Sequence, residues 1–163
     1  MKFLKASTQH IAQIQHLARL TWQATYEPIL EQDQIDFMLN MFYAQPYLEH
    51  QILNKTHDFV LLFDVDEKRL LAYSQCIDME WAYKISKLYV HPDEQGKQYG
   101  VALLKKIEED AKKRNRQKIV LNVNRYNPAQ TFYLKHGFQI IEQVDIPLDR
   151  FFLNDYVMEK ILG

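Results

Sequence analysis

Between Tyr83 and Asn124 the sequence changes its hydrophobic period twice. "YKISKLYV" reads as a strand, and "HPDEQGKQYG" ends it with a proline and two glycines. From Gly100 onward Leu104, Ile107 and Ala111 recur at helical spacing, and "KIVLNVN" then resumes a strand. Strand, polar turn, helix and strand in that order exclude an all-helical or all-strand chain.

The flanks extend this pattern. "FLKA" reads as a short first strand, and Ser7 or Thr8 caps a helix with Ile11, Ile14, Leu17, Ala18 and Thr21 or Trp22 on one stripe. After Pro28 come two helical pieces, "EQDQIDFMLNMF" and "PYLEHQILN". "DFVLLFD" and "RLLAYSQCID", joined around "VDEK", read as an antiparallel hairpin. Downstream, "NPAQTFYLKH" is a short helix stopped by Gly137, and "FQIIEQVDI" and "RFFLNDYVMEKIL" are two last strands. The chain is therefore expected to be one mixed α/β domain over residues 1–163, which is enough length for one sizeable core and too little for two.

Charge narrows the partners. Twenty basic residues balance twenty-one acidic ones, so no nucleic-acid partner held by overall positive charge is expected. Locally the balance shifts: residues 97–118 hold eight basic and three acidic residues, whereas residues 1–60 hold four and six. The basic excess sits beside the glycine turn, and it is either a solvated helix face or an aid to a phosphate-bearing ligand. Met1 to Leu20 contains no secretory or membrane-spanning run, and a cytoplasmic protein without membrane contact is the expectation. Cys76 stands alone inside a strand pattern and reads as an inert thiol. The six histidines form no metal-ligand spacing, so no metal is implied. His91 and His136 read as loop or cap residues.

The glycine turn precedes a helix start, where four backbone N–H groups lack intrahelical partners and the peptide dipoles leave partial positive charge. A helix beginning near Gln98 would aim the amides of Gly96, Lys97, Gln98, Tyr99 and Gly100 into one concavity, with Lys97 adding a point charge. An ordinary structural turn is the competing reading. Neither a dinucleotide fingerprint nor a P-loop is present.

"KLYVHPDEQGKQYGVALLKKIEEDAKKR" resembles the pyrophosphate-binding segment of the GCN5-related N-acetyltransferases (GNAT). That pattern is Gln or Arg, two residues, Gly, one residue, then Gly or Ala. Gln95 and Gly100 match its ends, while Gln98 stands where its first glycine is expected; a negative φ is expected at 98 if the amides are to stay directed inward. "VLNVNRYNPAQTFYLKHGF" resembles the family's later strand and helix, and the likeness spans about Leu71 to Phe138. It implies a single-domain acyl-CoA N-acyltransferase fold with a mixed, mostly antiparallel sheet flanked by helices. It also implies acetyl-CoA as cosubstrate and direct attack by an amine in a ternary complex.

The resemblance further implies site residues. The strand edge Leu88, Tyr89 and Val90 and the loop Gln95, Gly96, Lys97, Gln98, Tyr99, Gly100 and Val101 would hold the coenzyme. Asn127 would bond its pantetheine arm while also capping a helix. Tyr133 matches the tyrosine near the coenzyme sulfur, where a protonated phenol can donate to a leaving thiolate. Glu80 is a candidate base, with a water chain as the alternative. "LTWQATYEPIL" is similar to small amine and polyamine acetyltransferases of the family, with Trp22 reading as core and Tyr26 and Glu27 as acceptor contacts. A small primary amine, among them a polyamine, is thus the leading acceptor. A protein or peptide amine and a non-catalytic acyl-CoA-binding module are alternatives. "RFFLNDYVMEKIL" could serve as a homodimer seam or close its own core.

Overall fold

The computed structural model describes all 163 residues. One seven-stranded sheet runs in the order β1-β2-β3-β4-β5-β7-β6. Its strands are β1 (Lys2–Lys5), β2 (Asp58–Phe63), β3 (Leu70–Asp78), β4 (Tyr83–Val90), β5 (Lys118–Asn124), β6 (Gln139–Leu148) and β7 (Phe151–Ile161). Every neighbouring pair is antiparallel except β4 and β5. The helices are α1 (Ile11–Tyr26), α2 (Gln32–Phe42), α3 (Gln45–Leu53), α4 (Tyr99–Lys113) and α5 (Ala129–Lys135).

Alternation along the central strands divides the apolar residues between two faces. Phe59, Leu61 and Phe63 of β2 pack with Ile14, Leu17 and Trp22 of α1, and with Ile35 and Leu48 of α2 and α3. Val60 and Leu62 of the same strand turn the other way, onto Leu103 of α4. Leu104 and Ile107 of α4 and Tyr133 of α5 cover Ile85, Leu121 and Met158. The result is a sheet between two helical layers, with the crossover helix α4 filling the connection that parallel β4 and β5 require.

Strand β4 contains an irregularity where the polar pair Ser86 and Lys87 interrupts its alternation. Gln75 of β3 pairs with Lys87 but the next residue, Cys76, pairs with Ile85, so Ser86 is an inserted residue opposite no partner. Such a bulge exchanges the faces. Tyr83 and Ile85 belong to the α4 side, yet Tyr89, two pairs of residues further on, packs with the α1 core, and Leu88 joins the α4 side.

The pairing of β4 with β5 stops at Ile85 and Leu121. Beyond that point β4 pairs only with β3 and β5 only with β7. The facing edges of residues 86–90 and 122–124 therefore diverge and leave backbone groups unpaired inside the sheet.

In this topology β7 lies between β5 and β6, so its backbone is used by the sheet, and the free edge at this end belongs to β6.

Candidate active site

Two left-handed residues shape the turn between β4 and α4. Gly96 has φ +80°, and a Cβ there would meet nothing within 4 Å. Gln98, at φ +68°, caps α4. The expectation of a negative φ at Gln98 is thus wrong: the loop keeps the backbone shape a glycine would adopt and forces it on a side-chain-bearing residue. That conformation costs an L-residue about 1–2 kcal/mol.

The consequence for the amides is direct. The first hydrogen bond of α4 runs from Ala102 N–H to the Gln98 carbonyl at 3.0 Å, and no backbone N–H from Gln95 to Val101 is donated within the chain. A run of unpaired donors at the positive end of a fifteen-residue helix has the donor geometry and partial positive charge that suit an anion such as a diphosphate. A Cβ at Gly100 would lie in van der Waals contact with the Phe132 ring and Val90 at 3.5–3.7 Å, so the helix start packs closely on both.

Lys97 does not add its charge to this concavity. Its ammonium lies 2.7 Å from Glu94, which also pairs with Arg69 at 2.5 Å, and Lys97 is absent from the cavity wall. The Lys97 ammonium holds the Glu94 carboxyl below the usual carboxylate range. The donors at this turn are therefore backbone amides rather than the Lys97 ammonium, while Lys135 and His136 reach the same cavity from α5.

From this turn a cavity of about 1320 Å³ runs along the wedge between β4 and β5 to the loop after α1. Its wall includes Leu88, Tyr89 and Val90 of β4, and Gln95, Gly96, Gln98, Tyr99, Gly100 and Val101 of the turn and helix. Asn127, Tyr133 and Tyr26 complete the set of sequence candidates found there. The diverging edges, the amide run and the cavity length together fit a phosphate-bearing ligand with a long amide-containing arm.

Asn127 connects three of these parts. Its Oδ1 accepts from the Ala129 N–H at 2.9 Å, capping α5, and its Nδ2 donates to the Tyr26 hydroxyl at 3.2 Å. The cap thereby fixes the end of α1 relative to the helix bearing Tyr133. The Tyr133 ring sits against Phe132 and Phe138, with centroids at 5.3 and 5.4 Å, and burial pushes its phenol well above the ordinary range. It is protonated at neutral pH and borders the cavity, which suits a proton donor.

Glu80 and Glu27 fall elsewhere. Glu80 occupies the exposed turn after β3 with φ +66°, its N–H bonded to Asp78, and does not reach the cavity. Glu27 is exposed just past α1, while the neighbouring Tyr26 turns inward and is buried. The Glu80 and Glu27 assignments are therefore corrected: the turn and the helix end direct both carboxylates to solvent. Cys76 is buried, and burial raises its thiol far above the reactive range, as its strand setting implied. His91 accepts from the Asp93 N–H at 3.1 Å, and His136 bonds the Phe132 carbonyl at 2.7 Å, so both serve loop and cap geometry.

Sequence reasoning missed several wall residues. Lys87 extends from the bulged segment, its ammonium 3.3 Å from the Phe42 carbonyl and 4.0 Å from the Tyr43 ring centroid, with no carboxylate paired to it. Burial lowers it to about 7. Asn122, Asn124 and Asp155 line the opposite wall. The bulge and the β5–β7 register bring them there; the bulge is marked in the sequence only by the polar pair Ser86 and Lys87, and the register leaves no local mark. No group of three or more His, Cys, Asp or Glu side chains is arranged to hold a metal ion, and no helix is long and apolar enough to cross a membrane.

Comparisons with known proteins agree with this geometry. An acetyltransferase (GNAT) domain model matches residues 56–140, which span the hairpin, the wedge, α4 and α5. A spermidine N(1)-acetyltransferase of Thermoplasma acidophilum is 25% identical over 159 residues, covering 96% of this chain and 94% of its own. The crystal structure of the PaiA N-acetyltransferase of T. acidophilum in complex with coenzyme A superposes with a TM-score of 0.87 at 25% identity, covering 99% of this chain and 98% of that one. A GCN5-related N-acetyltransferase from Rhodopseudomonas palustris has the same fold, with a TM-score of 0.84 at 14% identity over 99% and 95% of the two chains. With the matched domain occupying more than half the sequence and the wedge, amide turn and buried phenol in place, the chain belongs to the GNAT family and is an acetyl-CoA-dependent acetyltransferase.

Proposed function

We propose that the protein transfers an acetyl group from acetyl-CoA to a primary amine of a small molecule, a polyamine in the first instance, by direct attack within a ternary complex. The observation that carries this reading is the cavity itself. It joins the unpaired amides of Gln95–Val101 to an inner end walled by Tyr26, Tyr133 and the open edges of β4 and β5. A diphosphate bound at the turn places its arm along Leu88–Val90, and Asn127 can bond that arm while it caps α5. Tyr133 then donates a proton to the departing sulfur. The inert Cys76 removes the one thiol that could carry an acetyl group covalently. Support for the polyamine comes from the spermidine N(1)-acetyltransferase relative. Residence in the cytoplasm, and pairing of two chains along the free β6 edge with its exposed Ile140, Ile141 and Ile146, belong to the same proposal.

The test is amine-dependent thiol release from acetyl-CoA across a panel of spermidine, other polyamines, monoamines and peptides with free amino termini. Saturable release with a polyamine is the expected result. Release with peptides alone would replace the acceptor class, and none above hydrolytic background with any acceptor would overturn the proposal.

A further inference from the structure

Two carboxylates border the cavity, Glu94 and Asp155. Glu94 is held at the phosphate turn by Arg69 and Lys97. Asp155 has no such partner. It lies on β7 opposite Asn124 of the open β5 edge, is 8% exposed, and faces the α1 side, as does Leu153 two residues before it. The nearest guanidinium, Arg125, is engaged by Asp145 at 2.7 Å and by the Val144 and Asp155 main-chain carbonyls. Arg125 and Lys84 act on it only at a distance, with no ion pair in contact; a buried carboxylate so placed is costly to keep in a fold, and an arriving ammonium would lower that cost.

We propose that Asp155 is the acceptor-side catalytic carboxylate, which anchors the incoming ammonium and takes the proton that must leave before its nitrogen can attack. This rests on the acetyl-transfer reading above. The groups facing Asp155 are Tyr26 from α1, Asn122 from β5, Arg125 from the segment after β5 and Lys84 from β4. Burial outweighs the Asn122 amide and the two cations, so the carboxyl sits above its usual range and is a better base than an exposed aspartate. Tyr26 is also the hydroxyl that accepts from Asn127, and Tyr26, Asp155 and the α5 phenol Tyr133 line one cavity.

The step balances as follows. Asp155 accepts one proton from R–NH3⁺, and the freed lone pair forms the N–C bond to the acetyl carbonyl carbon. The C–S bond breaks, its electron pair leaves on sulfur, and sulfur takes the Tyr133 proton. A second proton lost from nitrogen replaces the one Tyr133 gave, through solvent, and Asp155 releases its own to solvent. One amide, one thiol and one proton leave per turnover.

Two acceptors of similar size test the assignment. One is an alkylamine with a pKa of about 10, and the other a fluorinated amine already neutral at about pH 8. Wild type, Asp155→Asn and Asp155→Glu are compared, with folding followed by thermal unfolding and coenzyme affinity by calorimetry. In Asp155→Asn, kcat/KM for the protonated amine should fall about a hundredfold or more, and the deficit should shrink about tenfold per pH unit toward the amine's own pKa. The neutral amine should lose less than about tenfold, Asp155→Glu should recover part of the loss, and coenzyme affinity should stay unchanged. Calorimetry should also show weaker binding of spermidine to the coenzyme-loaded Asn variant. Equal losses for both amines, or no loss with either, overturn the assignment. Should the Asn variant fail to fold, the wild-type profile decides: pH-independent kcat/KM below the amine's pKa supports Asp155, and a unit-slope rise up to that pKa overturns it. A wild type inactive with every amine would sink the acetyl-transfer reading itself rather than the part played by Asp155.

Discussion

Replacing Lys87 with methionine should stabilise the fold at neutral pH and lose that advantage as the pH rises. Burial lowers the Lys87 ammonium from its ordinary 10.5 to about 7, with no carboxylate in contact to offset the desolvation. At roughly 1.4 kcal/mol per pH unit, that difference sets a ceiling of about 5 kcal/mol on the cost of keeping Lys87 charged in the folded state. Part of the side chain remains exposed to cavity water, and the bond to the Phe42 carbonyl is lost in the variant, so a net gain of about 2–3 kcal/mol is a realistic expectation at pH 7. Between about 7 and 10.5 the unfolded chain binds more protons at this site than the folded one, so wild-type stability rises with pH over that window and falls as pH drops back through about 7. Urea unfolding of both proteins at intervals from pH 6 to 10 gives the difference directly; the buried phenols of Tyr43, Tyr73 and Tyr89 are common to both and cancel. A variant less stable than wild type at pH 7, with a gap that does not narrow with pH, would refute the reasoning.

Two other perturbations follow from the turn and the phenol. Gln98→Gly should raise the unfolding free energy measured by urea titration by about 0.5–1 kcal/mol, the relief of the left-handed strain exceeding the extra freedom glycine has when unfolded. Gln98→Ala should give no such gain, and coenzyme affinity should survive both changes because the donors are backbone amides. Tyr133→Phe should leave coenzyme binding intact while lowering kcat by about a hundredfold or more; unchanged turnover would remove Tyr133 from the proton-donor position.

The order of strands and helices was legible because side-chain period changes at each boundary, and the split of β2 between two cores follows from plain alternation. The bulge at Ser86 went unread, although the adjacent polar pair Ser86 and Lys87 interrupts the alternation of "YKISKLYV" there; which residue is inserted shows only in the pairing with β3. Gln98 was misread because steric preference argues against a positive φ, whereas the closed turn and the helix start together impose one. Glu80, Glu27 and Lys97 lie close in sequence to wall residues, but a hairpin turn, a helix end and an ion pair with Glu94 each direct the side chain away. Asp155 looks like any polar position of an amphipathic strand. Its place beside the wedge depends on the Asn124–Asp155 register, a contact across thirty-one residues that no local pattern encodes.

Whether the unpaired amides of the turn gather the diphosphate of the coenzyme is most directly decided by titrating isotope-labelled protein with coenzyme A and following each backbone N–H. The amides of Gln95 to Val101 should shift together and saturate, accompanied by those of Leu88 to Val90 along the open strand edge. Saturable shifts confined to other parts of the chain, with residues 95–101 unmoved at millimolar excess, would contradict the account.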